Sequence, residues 1–104
     1  MHEYCVVITQ PAERDLLDID YYITVNFMAP DTAVNIITLI RDEVLKLSYH
    51  PLKHPLVQDS FLAQYGYRLL VVKSYNIFYT INDGESIVYI ERILSDRRDW
   101  VNIL

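Results

Sequence analysis

The chain has 104 residues, of which 52% are hydrophobic and 22% are charged. This length and composition suffice for one compact domain and exclude a two-domain protein. Nine Lys and Arg residues stand against fourteen Asp and Glu residues, so the formal charge of −5 disfavours a protein that coats nucleic acid by general electrostatic attraction. One cysteine and two glycines exclude an internal disulfide and a Gly-rich phosphate loop. With no signal peptide or membrane-spanning run visible, we expect a soluble cytoplasmic protein, a single domain over residues 1–104, without cofactor or metal.

The chain begins with a strand that leads directly into a helix. Residues 4–9 are rich in β-branched side chains, which predicts a strand, and Pro11 suits the first turn of a helix that runs to about Phe27. Apolar residues recur along this helix at intervals of three and four, which predicts a buried stripe: Ala12, Leu16, Ile19, Ile23 and Phe27. Asp15 and Asp18 fall outside the stripe and are expected to face water.

A second helix is predicted from Pro30 to about Ser48. Its apolar residues form a cleaner stripe over about four turns: Ala33, Ile36, Ile37, Ile40, Val44 and Leu47. The short break before Pro30 predicts that the two helices pack as an antiparallel hairpin against a shared sheet. Two prolines make the stretch from about His50 to Tyr65 irregular, and its structure is the least determined by the sequence.

Three further strands are predicted in the second half of the chain, over residues 67–73, 75–81 and 86–94. The Asn-Asp-Gly-Glu sequence at 82–85 is typical of a hairpin turn, so the three strands form an antiparallel meander. The element order is β-α-α-β-β-β, an α+β fold in which an antiparallel sheet packs against the helix hairpin. A short terminal helix is predicted for residues 97–104.

Positive charge is concentrated in the sheet and the C-terminal tail. The first 50 residues hold eight acids and three bases, whereas the remainder holds six of each. The meander predicts that basic side chains near strand ends gather into one binding site: Arg68, Lys73, Arg92, Arg97 and Arg98. The alternative is that the arginines at 92, 97 and 98 pair with the acids beside them in sequence, Glu91, Asp96 and Asp99.

Neither the histidines nor the cysteine points to a catalytic or metal site. His50 and His54 lie four residues apart among prolines, which exclude the regular helix that would place both on one metal ion. Cys5 alternates with Val7 in the first strand and is interpreted as a small buried apolar residue. We therefore expect His50 and His54 to lie at the surface and Cys5 to have a structural role.

The aromatic residues favour packing over nucleic-acid binding. Tyr75 and Tyr79 alternate with isoleucines in the middle strand of the meander, which is typical of a sheet core and not of a stacking platform for bases. Trp100 follows the arginine pair of the tail. It is predicted to anchor the tail on the domain, with an interface hot spot as the alternative.

Several segments together resemble the RelE/ParE superfamily of toxins from toxin-antitoxin modules. In chain order these are the segment 8–16, the two prolines at 51 and 55, Gly-Tyr-Arg-Leu at 66–69, Tyr-Asn-Ile-Phe-Tyr at 75–79 and the segment 92–100. Their order and spacing carry the resemblance. The resemblance spans nearly the whole chain. It implies a bacterial growth inhibitor of a type II plasmid-stabilisation module, held inactive by a cognate antitoxin, and it supports the predicted element order.

Two activities occur in that superfamily: RelE-like toxins cut messenger RNA in the ribosome, and ParE-like toxins bind DNA gyrase without being enzymes. Ribonucleolytic members use Tyr or His near the end of the last strand, where this chain has Leu94 and Ser95, and Asn76 stands where many relatives have Arg or Lys. The Arg-Arg-Asp run of the tail is similar to ParE-like tails, which favours the gyrase-binding class.

A nuclease remains an alternative, as does a weakened toxin that acts only as a binding module. RNA cleavage needs an acid, a base and cations around the phosphate, and Arg68 and Arg92 are the candidates for the cations. Arginine stays protonated and cannot serve as the base. In the favoured interpretation the residues that bind target or antitoxin are Arg68, Lys73, Arg92, Arg97, Arg98 and Trp100.

Overall fold

The fold is a mixed four-stranded sheet with two long helices on one face. The computed structural model describes residues 3–96. Its strands are β1 (Cys5–Ile8), β2 (Arg68–Val72), β3 (Tyr75–Asn82) and β4 (Ile87–Ser95). Its helices are α1 (Gln10–Tyr21), which continues into a π-helical turn (Tyr22–Asn26), α2 (Pro30–Leu45), which ends in a 3₁₀ turn (Lys46–Ser48), a further 3₁₀ turn (Pro51–Lys53) and the short α3 (Ser60–Ala63).

The strand order in the sheet is β1-β4-β3-β2. The antiparallel meander of β2, β3 and β4 is confirmed, and the Asn-Asp-Gly-Glu sequence forms the turn between β3 and β4. The first strand, however, pairs in parallel with β4, with Cys5 opposite Ile87 and Ile8 opposite Ile90. The sheet is therefore mixed and not wholly antiparallel. Its last strand, β4, lies between β1, to which it is parallel, and β3, to which it is antiparallel.

The main core lies between the sheet and the helix hairpin. Thr9 caps α1, since its hydroxyl oxygen accepts a hydrogen bond from the Ala12 amide at 3.4 Å, and the same hydroxyl donates to the Ile90 carbonyl at 2.7 Å. The predicted stripes supply most of this core: Ala12, Leu16, Ile19, Ile23, Ala33, Ile40, Val44 and Leu47 are buried. On the sheet side the core includes Ile77, Val88 and Ile90.

Phe27 does not belong to the buried stripe, contrary to the prediction. Its side chain is 63% exposed and its ring contacts Tyr22 edge to face, with 5.4 Å between the ring centroids. The reason is the π-helical turn at 22–26, which places an extra residue in one turn and so rotates the following side chain out of the stripe. The α-helical spacing that predicts burial therefore ends at Ile23.

A second, smaller core covers part of the opposite sheet face. It consists of Val57 and Leu62 from the irregular segment, packed against Phe78 of β3 and Leu94 of β4. Asp59 caps α3 by accepting a hydrogen bond from the Leu62 amide at 3.0 Å, which stabilises the first turn of this short helix. We call the remainder of this face the open face; no helix of residues 3–96 lies over it.

Cys5 is exposed, which corrects the prediction that it is buried. Side chains alternate along β1, and Val6 and Ile8 are the ones that pack against the main core. Cys5 therefore points to the other side of an edge strand. No helix within residues 3–96 is long and apolar enough to cross a membrane.

Tyr79 is fully buried in the main core and Tyr75 is partly buried against it, as the alternation in β3 predicts. The Tyr79 hydroxyl donates a hydrogen bond to the Pro51 carbonyl at 2.6 Å, which ties the 3₁₀ turn at 51–53 to the sheet. Burial raises the pKa of the Tyr79 phenol to about 12.

We expect Tyr79→Phe to lower the free energy of unfolding by about 1 to 2 kcal/mol at pH 7, because the Pro51 carbonyl loses its donor. The raised pKa also predicts a pH effect. The phenol contributes stability that is fully present below pH 10 and is lost as the pH rises from about 10 to about 12. Urea denaturation of both proteins at pH 7, 10 and 11 checks this: the wild type should lose more stability than Tyr79→Phe above pH 10, and equal losses would contradict the assignment.

Candidate functional site

Asp15 of α1 is buried and binds the end of β4, contrary to the prediction that it faces water. Its residue exposure is 6%. The carboxylate accepts hydrogen bonds from Arg92 Nε at 2.7 Å and from Arg92 Nη2 at 2.9 Å, and a third from the Ile93 amide at 2.9 Å. These hydrogen bonds raise the pKa of the Arg92 guanidinium.

The position of Asp15 follows from the unequal lengths of two paired strands. β1 ends at Ile8, opposite Ile90, so beyond that point the edge of β4 has no neighbouring strand. The Asp15 carboxylate takes the place of a strand by accepting the Ile93 amide hydrogen bond. Arg92 is thus held by an acid 77 residues earlier in the chain. The alternative in which Arg92 pairs with its sequence neighbour Glu91 is wrong.

Arg68 lies on the helix side of the sheet. It shares a strand face with Leu70 and Val72, both of which belong to the main core, and it pairs with Tyr79 of β3 in the backbone register. Its Nη1 donates a hydrogen bond to the His54 carbonyl at 2.8 Å. Burial, and secondly the charge of Lys53, lower the pKa of the His54 imidazole.

The structure does not bring Arg68, Lys73 and Arg92 together. Lys73 is exposed in the turn between β2 and β3, at the far end of β2 from Arg68, and Arg92 lies on β4 with β3 between the two arginines. The Asp96 amide donates to the Ser74 carbonyl at 2.8 Å, so the last described residue lies beside the Lys73 turn. Arg97, Arg98, Trp100 and the predicted helix at 97–104 lie outside the described residues.

A shallow cleft of about 700 Å³ occupies the open face between β3, β4 and the segment around α3. Four aromatic rings and four polar side chains are among its lining residues: Phe61, Tyr65, Tyr67, Tyr89, Thr80, Asn82, Asp83 and Glu91. Among residues 3–96, no lysine or arginine lines it. We call this feature the open-face cleft.

The two carboxylates of the open-face cleft are held by hydroxyl groups. Glu91 Oε2 accepts a hydrogen bond from the Thr80 hydroxyl at 2.8 Å, and Asp83 Oδ1 accepts one from the Tyr4 hydroxyl. Burial, and then the nearby Glu91 charge, raise the pKa of the Tyr67 phenol. The cleft is therefore aromatic and negatively charged, which suits a cationic or apolar protein side chain better than a phosphate.

The sequence contained only weak signals for these features. Glu91 and Tyr89 alternate in β4, which places them on one face, but the sequence alone does not say that this face is open. His50 and His54 line a second cleft of about 460 Å³ together with Lys46, Lys53 and Asp42. Within residues 3–96 no three side chains of the metal-binding types form a cluster.

The fold is shared with toxins of known structure. The chain has a TM-score of 0.72 and 19% identity to a chain of the chromosomal ParDE toxin-antitoxin system of P. aeruginosa, covering 91% of this chain and 98% of that chain. For the RelBE2 toxin-antitoxin complex of Mycobacterium tuberculosis the TM-score is 0.67, with 21% identity over 89% of this chain and 98% of that chain. For a double-arginine variant of the E. coli toxin RelE in the free state it is 0.67, with 9% identity over 97% and 92%.

These neighbours share the fold of this chain, in agreement with the fold that the resemblance in sequence predicts. Residues 6–100 match the model of the family described as the ParE toxin of the type II toxin-antitoxin system, parDE. The chain therefore belongs to the ParE toxin family and is a toxin of a type II toxin-antitoxin module. A search of curated proteins finds no match.

Proposed function

We propose that this toxin inhibits growth by binding DNA gyrase and does not itself cut RNA. The observation that supports this is the placement of its arginines. RNA cleavage requires cations around the reacting phosphate, together with an acid and a base. Arg92 is neutralised by Asp15, and Arg68 donates to the His54 carbonyl on the helix side of the sheet.

The open-face cleft also disfavours a nuclease. A phosphate in this cleft would meet Asp83 and Glu91 and no lysine or arginine among the described residues. Leu94, one of the two positions near the end of the last strand where ribonucleolytic relatives are expected to carry Tyr or His, packs in the smaller core beside Phe78. The position thus contributes apolar contacts and no proton transfer.

Exposed apolar residues at the turn of the helix hairpin support binding to a protein target. Residues 21–30 contain no charged side chain, and five large side chains among them are exposed: Tyr21, Tyr22, Val25, Phe27 and Met28. An exposed apolar patch of this kind is typical of a protein interaction surface. We propose that this hairpin tip contacts the target, and that Arg97, Arg98 and Trp100 of the tail contribute to target or antitoxin binding.

The proposal includes a cognate antitoxin that holds the toxin inactive. The similar solved structures include a toxin-antitoxin complex, RelBE2, and a chromosomal ParDE system. A short reading frame beside the toxin gene that encodes a DNA-binding protein is the expected source of this partner. Co-expression with that protein should restore growth.

Two assays on the wild-type toxin decide between the gyrase target and the ribosome. We expect the purified toxin to inhibit gyrase supercoiling and to accumulate cleavage complexes, because its proposed action is to bind the enzyme. We expect primer extension in a translating extract to show no codon-biased mRNA cleavage. Codon-biased cleavage without an effect on gyrase would replace the proposal with the RelE-like alternative, in which Arg68 and Arg92 stabilise the reacting phosphate.

A further inference from the structure

We propose that the open-face cleft receives an arginine or lysine side chain of the antitoxin, held by Glu91 and Asp83 and by the rings of Tyr67 and Tyr89. This inference rests on the proposed antitoxin partner. It specifies the place on the toxin where one side chain of that partner binds. The occupant we infer is one cationic side chain within an otherwise apolar antitoxin segment.

The first argument is that aromatic rings line the cleft and that no element of residues 3–96 covers it. The helix hairpin covers the other face of the sheet, and the smaller core around Phe78 covers only part of this one. Phe61 and Tyr65, in and after α3, are both more than half exposed and stack edge to face with 5.4 Å between their ring centroids. Aromatic side chains in an uncovered cleft provide a large contact area for a partner segment.

The second argument is charge. Three other carboxylates of the described residues, Asp15, Glu13 and Glu43, each bind an arginine or lysine at 3.1 Å or less. Within residues 3–96 neither Glu91 nor Asp83 has such a partner, although both line one cleft. No described residue therefore supplies a cation that would balance these two carboxylates.

The third argument is that Glu91 is already oriented. The Thr80 hydroxyl holds Oε2 at 2.8 Å, which leaves Oε1 to accept a further hydrogen bond. A guanidinium or ammonium group binds a carboxylate through strong charge-assisted hydrogen bonds, and its hydrocarbon stem packs on aromatic rings. The faces of Tyr67 and Tyr89 add cation–π attraction. Lysine and arginine are the side chains that use all of these groups, whereas a nucleic-acid phosphate is repelled.

The test is the affinity of the toxin for the antitoxin encoded beside its gene, measured by isothermal titration calorimetry. We expect Glu91→Gln to weaken binding at least tenfold while the melting temperature changes little, because glutamine keeps the hydrogen bond from Thr80 but loses the charge. Glu85→Gln is the matched control, since this exposed acid lies in the adjacent turn and does not line the cleft. It should bind like the wild type.

A double-mutant cycle identifies the cation. Each lysine and arginine in the toxin-binding half of the antitoxin is replaced by glutamine, and each variant is titrated against wild-type toxin and Glu91→Gln. We expect one position whose replacement weakens binding to the wild type at least tenfold but has little further effect on Glu91→Gln. Tyr89→Leu should weaken binding and Tyr89→Phe should not, because phenylalanine keeps the ring.

The outcomes separate this inference from the proposed function. If the wild-type toxin forms no complex with the neighbouring protein, the proposed partner is wrong. If that complex forms but Glu91→Gln binds with wild-type affinity and no antitoxin cation is coupled to Glu91, the inference is overturned. Binding of RNA or of a second toxin copy to the cleft, competing with antitoxin, would overturn it as well.

Discussion

Replacing Asp15 with alanine is expected to lower the free energy of unfolding by about 3 to 5 kcal/mol, which is typical when one partner of a buried ion pair is removed. The change leaves the partly buried Arg92 guanidinium without its carboxylate and the Ile93 amide without an acceptor. Urea denaturation followed by circular dichroism measures the effect.

Asp42→Ala is the control for this prediction. Asp42 is an exposed acid on α2, and its loss should change stability by about 0.5 kcal/mol or less. Asp15→Asn should fall between the two, because the amide oxygen can still accept the Ile93 hydrogen bond but carries no charge for Arg92. If Asp15→Ala were as stable as Asp42→Ala, the carboxylate would not be what joins α1 to β4.

Replacing Ile40 with aspartate is expected to cost about 4 kcal/mol or more, because it places an unpaired carboxylate in the main core. Ile40 is 1% exposed and lies on α2 in the layer that faces the sheet. The melting temperature of the purified variant, or the loss of its cooperative transition, measures the effect.

Val34→Asp provides the comparison at an exposed site of the same helix. Val34 is also β-branched and is 61% exposed, so the same substitution should cost far less. A melting temperature for Ile40→Asp equal to that of Val34→Asp would reject the assignment of the buried stripe of α2.

Periodicity was sufficient to predict the two helices, the meander and most of the main core. Side chains that recur every three or four residues must share a helix face, so Leu16 and Ile40 are assigned to the core by local pattern alone. The pattern failed at Phe27, where a π-helical turn changes the spacing, and at Cys5, where only one side of an edge strand is covered. Both errors arise from features that the spacing of apolar residues does not encode: a local change of helix type and the covering of one face of a strand.

The candidate site was less predictable than the fold. A charged residue beside an apolar stripe is normally assigned to solvent, yet Asp15 is buried because β1 is shorter than β4 and exposes a backbone amide there. A register shift between Phe78 and Tyr79 lies opposite Glu91, so simple alternation does not carry through β4 to Arg92. The sequence shows which residues are basic, but the separate positions of Arg68, Lys73 and Arg92 depend on tertiary structure.

The position of β4 also determines when a newly made chain can fold. It is the last of the four strands to be synthesised, yet it lies inside the sheet, between β1 and β3. Its pairing with β1 and the contact between Asp15 and Arg92 join residues from opposite ends of the described chain, and such distant contacts form late and slowly. A ribosome-bound chain that stops before residue 87 therefore lacks the native sheet. The folded toxin domain exists only after the last strand has been synthesised.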